Sequence, residues 1–211
     1  MEKSARGIAD YLLQIKAIKL QPSSPFTWAS GWKSPIYCDN RTTLSYPEVR
    51  NYICDYFSEK ISELYPEAEV IAGVATGAIA HGMLVADRLG LPFIYVRSGA
   101  KGHGLGNQVE GSYSPGQKVV VIEDLISTGG SSLNAVHALR DVGCNVLGML
   151  AIFTYGFEKA VNAFSEAGCR VDTLSNYNIL VEMAIEKGYV TADNLKTLGE
   201  WRIDPASWKN S

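Results

Sequence analysis

The chain has 211 residues, 46% of them apolar and 19% charged, and a net charge of −3. That length buries a substantial core, and no stretch of linker composition splits it into two large domains. The mild acidity leaves no basic stripe for nucleic acid or anionic lipid, and no apolar run reaches the roughly 18 residues that cross a bilayer.

The N-terminal stretch MEKSARGIADYLLQIKAIKL is amphipathic and begins with charges of both signs, unlike a signal peptide, so a cytoplasmic location is expected. A first helix is predicted over residues 4–18. Residues 26–41, FTWASGWKSPIYCDNR, are rich in aromatics, and Pro25, Gly31 and Pro35 break any helical period. They read as a short irregular or two-stranded cap. On it, Tyr37 can stack on a planar ring, while Trp28 and Trp32 either do the same or pack the cap onto the core, the second being favoured. A second helix is predicted over 46–64, with Ser45 and Glu48 as a capping box. A strand follows at 70–74, a loop at 75–77, a helix to 89 and a strand at 93–96.

Residues 95–111, YVRSGAKGHGLGNQVEG, carry glycines at 99, 102, 104, 106 and 111, too many for a helix or strand and suited to a mobile loop. Arg97, Lys101 and His103 sit on this loop. Cations so placed fit a lid that closes over a polyanion and neutralises charge on a leaving group.

The stretch VVVIEDLISTGGSS at 119–132 is the most informative. Its valines and isoleucine read as a strand at 119–122 buried on both faces, and the Gly-rich part opens a helix over 133–142. Glu123 and Asp124 are expected where the strand stops. Leu125 and Ile126 lead to Ser127, Thr128, Gly129, Gly130 and Ser131, where backbone N–H groups converge at a helix N-terminus. Such a terminus favours an anion, so acids beside it point to a sugar phosphate. The spacing is neither G-x-x-x-x-G-K-[ST] nor G-x-G-x-x-G.

A strand at 146–153, a helix at 157–167, another at 178–186 ended by Gly188, and a short turn at 191–198 complete the chain. The alternation predicts an α/β fold, a parallel central sheet flanked by helices, with its ligand at the carboxyl ends of the strands. Cys38, Cys54, Cys144 and Cys169 lack C-x-x-C spacing and read as free thiols. His81 and His137 read as structural or surface residues, and no repeat is present.

The pattern E-D-x-x-S-T-G-G at 123–130 resembles the binding motif for 5-phosphoribosyl 1-diphosphate (PRPP) of the type I phosphoribosyltransferases. R-x-x-x-K-x-H-G at 97–104 resembles the catalytic loop of the orotate phosphoribosyltransferases, and the aromatic cap resembles their hood over the base. The resemblance covers most of the chain. It implies one type I phosphoribosyltransferase-like domain over 1–211, with 20–45 forming a small N-terminal hood. It further implies Mg²⁺-dependent conversion of orotate and PRPP into orotidine 5′-monophosphate and diphosphate, a step of pyrimidine nucleotide synthesis with an oxocarbenium-like transition state.

By the same resemblance, PRPP is bound by Arg97, Lys101, His103 and the run Glu123, Asp124, Leu125, Ile126, Ser127, Thr128, Gly129, Gly130, Ser131. Glu123 and Asp124 hold the ribose hydroxyls and Thr128 to Ser131 the 5′-phosphate. Ser127 and Tyr37 touch orotate. Lys101, supported by Arg97 and His103, is the catalytic group at the departing diphosphate. Mg²⁺ arrives on the substrate's oxygens, so no protein metal cage is expected. The implied partners are PRPP, orotate and a second copy of the chain whose loop enters the neighbouring site, with no nucleic acid or membrane.

The chain departs from other branches of that family. Ala29, Ala75-Thr76 and Ser98 stand where some members carry basic residues, and an arginine that binds orotate in some members is absent near Thr154 and Tyr155. Thr76 and Gly77 can still offer donors to diphosphate, and Lys33 or Arg41 can restore charge. Two alternatives stay open: a same-fold transferase for a purine or uracil, and a non-catalytic PRPP-sensing regulator.

Overall fold

The computed structural model describes residues 4–28, 30–99 and 108–208. Helix α1 spans Ala5–Gln14, capped by the Ser4 hydroxyl oxygen accepting from the Gly7 N–H, and buries Ile8, Ala9, Leu12 and Leu13. It ends earlier than the apolar pattern suggests. Lys16, at φ 57°, turns the chain, and Ile18–Leu20 become strand β1, paired antiparallel with β4 at Ile36–Cys38. Between them lie β2 (Phe26–Thr27) and β3 (Lys33–Ser34), a second antiparallel pair. The cap is therefore built from two tiny ladders.

A 3₁₀ turn over Asn40–Ser45 leads into α2, Pro47–Leu64. The expected capping box does not form: Ser45 ends the 3₁₀ turn, Tyr46 is the N-cap without a side-chain bond, and Pro47 opens the helix. Proline suits that position because its fixed φ is helical and its missing N–H would have had no partner. Glu48 instead accepts from the Tyr11 hydroxyl at 2.8 Å.

The main sheet has six strands: β5 (Val70–Val74), β6 (Phe93–Val96), β7 (Val109–Glu110), β8 (Lys118–Ile126), β9 (Asn145–Thr154) and β10 (Val171–Asn176). Their order is β10-β9-β8-β5-β6-β7, parallel throughout except that β7 runs antiparallel to β6. Helices α3 (Ile79–Leu89), α4 (Gly130–Asp141), α5 (Glu158–Glu166), α6 (Tyr177–Glu186) and α7 (Asn194–Ile203) complete the order. Every residue of β5 and residues 119–123 of β8 are buried, as the β-branched runs require of a covered parallel sheet.

Three elements differ from the sequence expectation. β8 does not stop at Ile122 but continues through the acids, pairing Glu123 with Ala151 and Leu125 with Phe153 of the long β9. β10, VDTLSN, was not anticipated: its polar residues hide a strand that is satisfied by parallel pairing with β9. The C-terminal turn is a ten-residue helix, α7. Its Trp201 is fully buried against Trp28, Tyr155, Phe157 and Tyr177, with ring centroids 5.4 to 5.7 Å away. Among the described residues no helix is long and apolar enough to cross a membrane.

Trp201 thus ties α7 to both the cap and the end of β9. Trp201→Ala is expected to cost roughly 3–5 kcal/mol of stability, as for other buried large-to-small changes. Urea unfolding checks this, and a loss below about 1 kcal/mol would show that the cluster does not anchor the helix.

Candidate active site

The carboxyl ends of β5 and β8 face each other across a cavity of about 300 Å³, lined by residues 74–77 on one side and by Glu123, Asp124, Leu125, Ser127, Thr128, Gly129 and Ser131 on the other. Gly129 takes φ 84°, a left-handed conformation natural to glycine, and so starts α4 at Gly130. The first N–H groups of α4 lack partners four residues back, and this end of the helix faces the cavity through Gly129 and Ser131. Gly77 is required for another reason: a Cβ there would overlap the Asp124 carboxylate.

Glu123 is 4% exposed. Its Oε1 accepts from the Asp124 N–H at 3.0 Å and its Oε2 from the Ser132 hydroxyl at 2.8 Å. Burial, reinforced by the Asp124 charge, pushes Glu123 up to about 8. Burial also raises Asp124, with hydrogen bonds and the Arg41 charge acting in the opposite direction. Burial thus shifts both acids toward their neutral forms, Glu123 the more deeply buried of the two.

The 3₁₀ turn reaches this pair from the cap side. Asn40 Nδ2 donates to the Asp124 carbonyl, and the Thr43 hydroxyl donates to the Asn40 carbonyl at 2.6 Å. His81 Nε2, on α3, lies 3.1 Å from the same Thr43 oxygen. Since Thr43 has spent its one hydrogen, Nε2 carries the proton and donates. His81 is a buried structural histidine, as the sequence suggests, and burial lowers it to about 4 despite the Asn40 carbonyl.

A second cavity, about 370 Å³, adjoins the first through Leu125 and Ser127 and is otherwise lined by Thr27, Trp28, Tyr37, Cys38 and Tyr155. Its walls are largely aromatic, with the Trp28 ring 5.3 Å from that of Tyr155. Trp28 does both things considered for it: it packs on Tyr155 and Trp201, and it faces this cavity. Trp32, stacked 6.5 Å from Trp28, faces a neighbouring cavity of about 440 Å³ with Ser30, Ser127, Thr128 and Lys159. A further cavity, about 560 Å³ between α6 and α7, shares no residue with these three.

The structure thus brings most of the expected anion loop together with Tyr37. Ile126 and Gly130 do not line the cavity: Gly130 is the first residue of α4, and Ile126 is buried while its carbonyl accepts from the Tyr155 N–H and the Thr154 hydroxyl. Arg97 follows β6 and is ion-paired with Glu110 at 3.6 Å, and its N–H and carbonyl both bond Gln108. Lys101 and His103 lie outside the described residues. Sequence reading missed Asn40, Thr43, Tyr155 and Lys159, whose positions depend on contacts far apart in the chain. Cys38, Cys54, Cys144 and Cys169 are free thiols. Among the described residues no group of three or more His, Cys, Asp or Glu side chains could hold a metal ion.

Residues 45–182 match the phosphoribosyl transferase domain family. An orotate phosphoribosyltransferase from Porphyromonas gingivalis is 57% identical over 208 residues, covering 99% of each chain. A crystal structure of orotate phosphoribosyltransferase from Aeropyrum pernix superposes with a TM-score of 0.76 at 29% identity, over 87% of this chain and 99% of that one. The fold is shared too by the Mycobacterium tuberculosis orotate phosphoribosyltransferase solved with PRPP, with a TM-score of 0.65 at 24% identity, over 84% of this chain and 98% of that one.

The buried His81 makes a pH prediction. An unfolded histidine takes its proton near pH 6.5, the folded one near 4. The unfolded state therefore binds the proton first as pH falls, so stability present above about 6.5 is lost toward 4, by up to ~3 kcal/mol. Urea midpoints measured across that window should fall more steeply for the parent than for His81→Gln, and parallel curves would contradict the assignment.

Proposed function

The chain belongs to the phosphoribosyltransferase family and, within it, to the orotate phosphoribosyltransferases, and from that membership we propose how its residues divide the work. Its reaction moves the 5-phosphoribosyl group of PRPP to orotate, forming orotidine 5′-monophosphate and diphosphate in pyrimidine synthesis. The C1′–O bond to diphosphate breaks and a bond from orotate N1 to C1′ forms.

The observation that carries the proposal is one continuous site in two parts, a carboxylate-and-amide cavity joined to an aromatic one through Leu125 and Ser127. In the first part, Asp124 and Glu123 accept from the ribose hydroxyls. The N-terminal amides of α4 and the hydroxyls of Thr128 and Ser131 hold the 5′-phosphate. The β5 end, with Thr76 and Gly77, lies against the same cavity and offers a hydroxyl and N–H groups to diphosphate. In the second part, Tyr37 and Trp28 sandwich the flat base under the hood of residues 20–45, and Ser127 reaches it from the motif.

Phosphoribosyltransferases generally use Mg²⁺ with PRPP. The donor set here fits a cation that comes with the substrate: two adjacent acids, no third acidic, His or Cys ligand gathered with them among the described residues, and a cavity with room for phosphate oxygens. Mg²⁺ needs few protein ligands when phosphates and water complete its shell. When bound it would offset the charge of the diphosphate.

Lys101, with Arg97 and His103, is proposed to stabilise the leaving diphosphate, acting on the neighbouring subunit of a homodimer. The length and charge of the loop sequence support this.

Diphosphate release from Mg²⁺ and PRPP, with orotate, uracil, hypoxanthine, guanine and adenine offered separately, tests the reaction. Turnover with orotate alone is expected, and turnover only with another base would overturn the assignment. Lys101→Ala should lower turnover by about 10² to 10³ with little change in PRPP binding, as loss of a transition-state donor does. Mixing Lys101→Ala subunits with Asp124→Asn subunits should restore part of the activity in the heterodimer. Proven heterodimers without recovery would exclude action across the interface.

A further inference from the structure

Orotate differs from uracil by a carboxylate on the ring, ionised at neutral pH. Enclosing that charge without a counterion costs several kcal/mol, so a site that selects orotate needs a cation beside the base. Among the described residues the aromatic cavity contains none: Thr27, Trp28, Tyr37, Cys38, Leu125, Ser127 and Tyr155 are all uncharged side chains at neutral pH. The adjoining 440 Å³ cavity shares Trp28 and Ser127 with it, and among the described residues Lys159 is the one charged residue in its wall.

The other described cations near the hood line neither cavity: Lys19 stands opposite Tyr37 across the β1–β4 pair, and three more are held by polar partners. Arg41 is paired with Asp39 through two contacts of 2.7 and 2.9 Å. Lys33 Nζ donates to the Thr27 hydroxyl at 2.9 Å. Arg202 donates to the carbonyls of Tyr155 and Gly156 and to Asn178. Lys159, by contrast, is exposed and has neither a hydrogen bond nor an ion pair among the described residues.

Its place in the fold is also locally unfavourable. Lys159 is the second residue of α5, where the positive end of the helix disfavours a cation and Glu158 alone offsets it. A local choice that opposes the helix dipole is expected where function requires the residue. Lys159 lines the cavity that holds Ser127 and Trp28, where its charge favours an anion.

We propose that Lys159 is the specificity-determining residue of the base site: its ammonium pairs with the orotate carboxylate, beside a hydrogen bond from the Ser127 hydroxyl. The proposal rests on the orotate reading above. It assigns the charge that the missing arginine near Thr154 and Tyr155 would otherwise carry.

The test compares the parent with Lys159→Ala and Lys159→Arg in steady-state kinetics with Mg²⁺, PRPP and orotate, at low and high salt. A charge-assisted contact at a partly open site predicts a loss of about 10- to 100-fold in kcat/KM for orotate with Lys159→Ala, mostly in KM. The KM for PRPP and the melting temperature should stay near the parent's, Lys159→Arg should recover most of the loss, and the salt dependence of the orotate KM should flatten in Lys159→Ala. An unchanged orotate KM in Lys159→Ala, with the parent active on orotate, would overturn this assignment alone. Equal losses for orotate and PRPP would also overturn it, marking a structural role. A parent inactive on orotate would overturn the reaction assignment and this proposal together.

Discussion

The site depends on keeping two adjacent carboxylates on a buried strand. β8 runs between β9 and β5, so Glu123 and Asp124 leave water while the backbone around them remains in the ladder. Such burial is tolerated because every oxygen of Glu123 finds a donor and because burial raises both acids toward their neutral forms. Much of the surrounding structure serves this arrangement. Ser132 comes from the first turn of α4, Asn40 reaches in from the 3₁₀ turn, and residue 77 has no side chain so that Asp124 can sit against the β5 end. Strand, helix and cap are each positioned by contact with the acids or their backbone.

The aromatic side of the site has a different foundation. Trp28 sits between the base cavity and Trp201, while Tyr155 directly follows β9 and stacks against Phe157 at 5.4 Å. The cap has only two short ladders of its own and could not hold its rings by backbone pairing. Packing on α7, at the far end of the chain, gives those rings a fixed floor. Rigidity at the base and hydrogen-bonded polarity at the ribose come from separate parts of the molecule that meet at Leu125 and Ser127.

What could be read beforehand follows from what is local. The β-branched run of β8, the glycines at its end and the aromatic cap announce themselves within short windows, and the structure unites them. β8 runs past the point where acids normally end a buried strand, because β9 continues alongside and keeps them paired. β10 is hidden because Asp172, Thr173, Ser175 and Asn176 suppress any apolar alternation, and α7 because only Leu198 and Trp201 are buried on it, Trp201 by ring partners from three distant segments. The Asn40, Thr43 and His81 contacts have no sequence signature: the hydrogen bond from Asn40 to Asp124 spans 84 positions. Lys159 was passed over for the same reason, since its relation to Trp28 exists only after folding.

The two borders of the main sheet bear on how copies of this chain can meet. β7 is two residues long, and the opposite border, β10, carries Asp172 in contact with Arg170 and lies against α1. Short or charged borders make poor templates for adding a foreign strand, which protects the monomer from edge-to-edge aggregation. They also limit what a second copy gains by extending the sheet across either border, which favours helix and loop surfaces over strand pairing for any association.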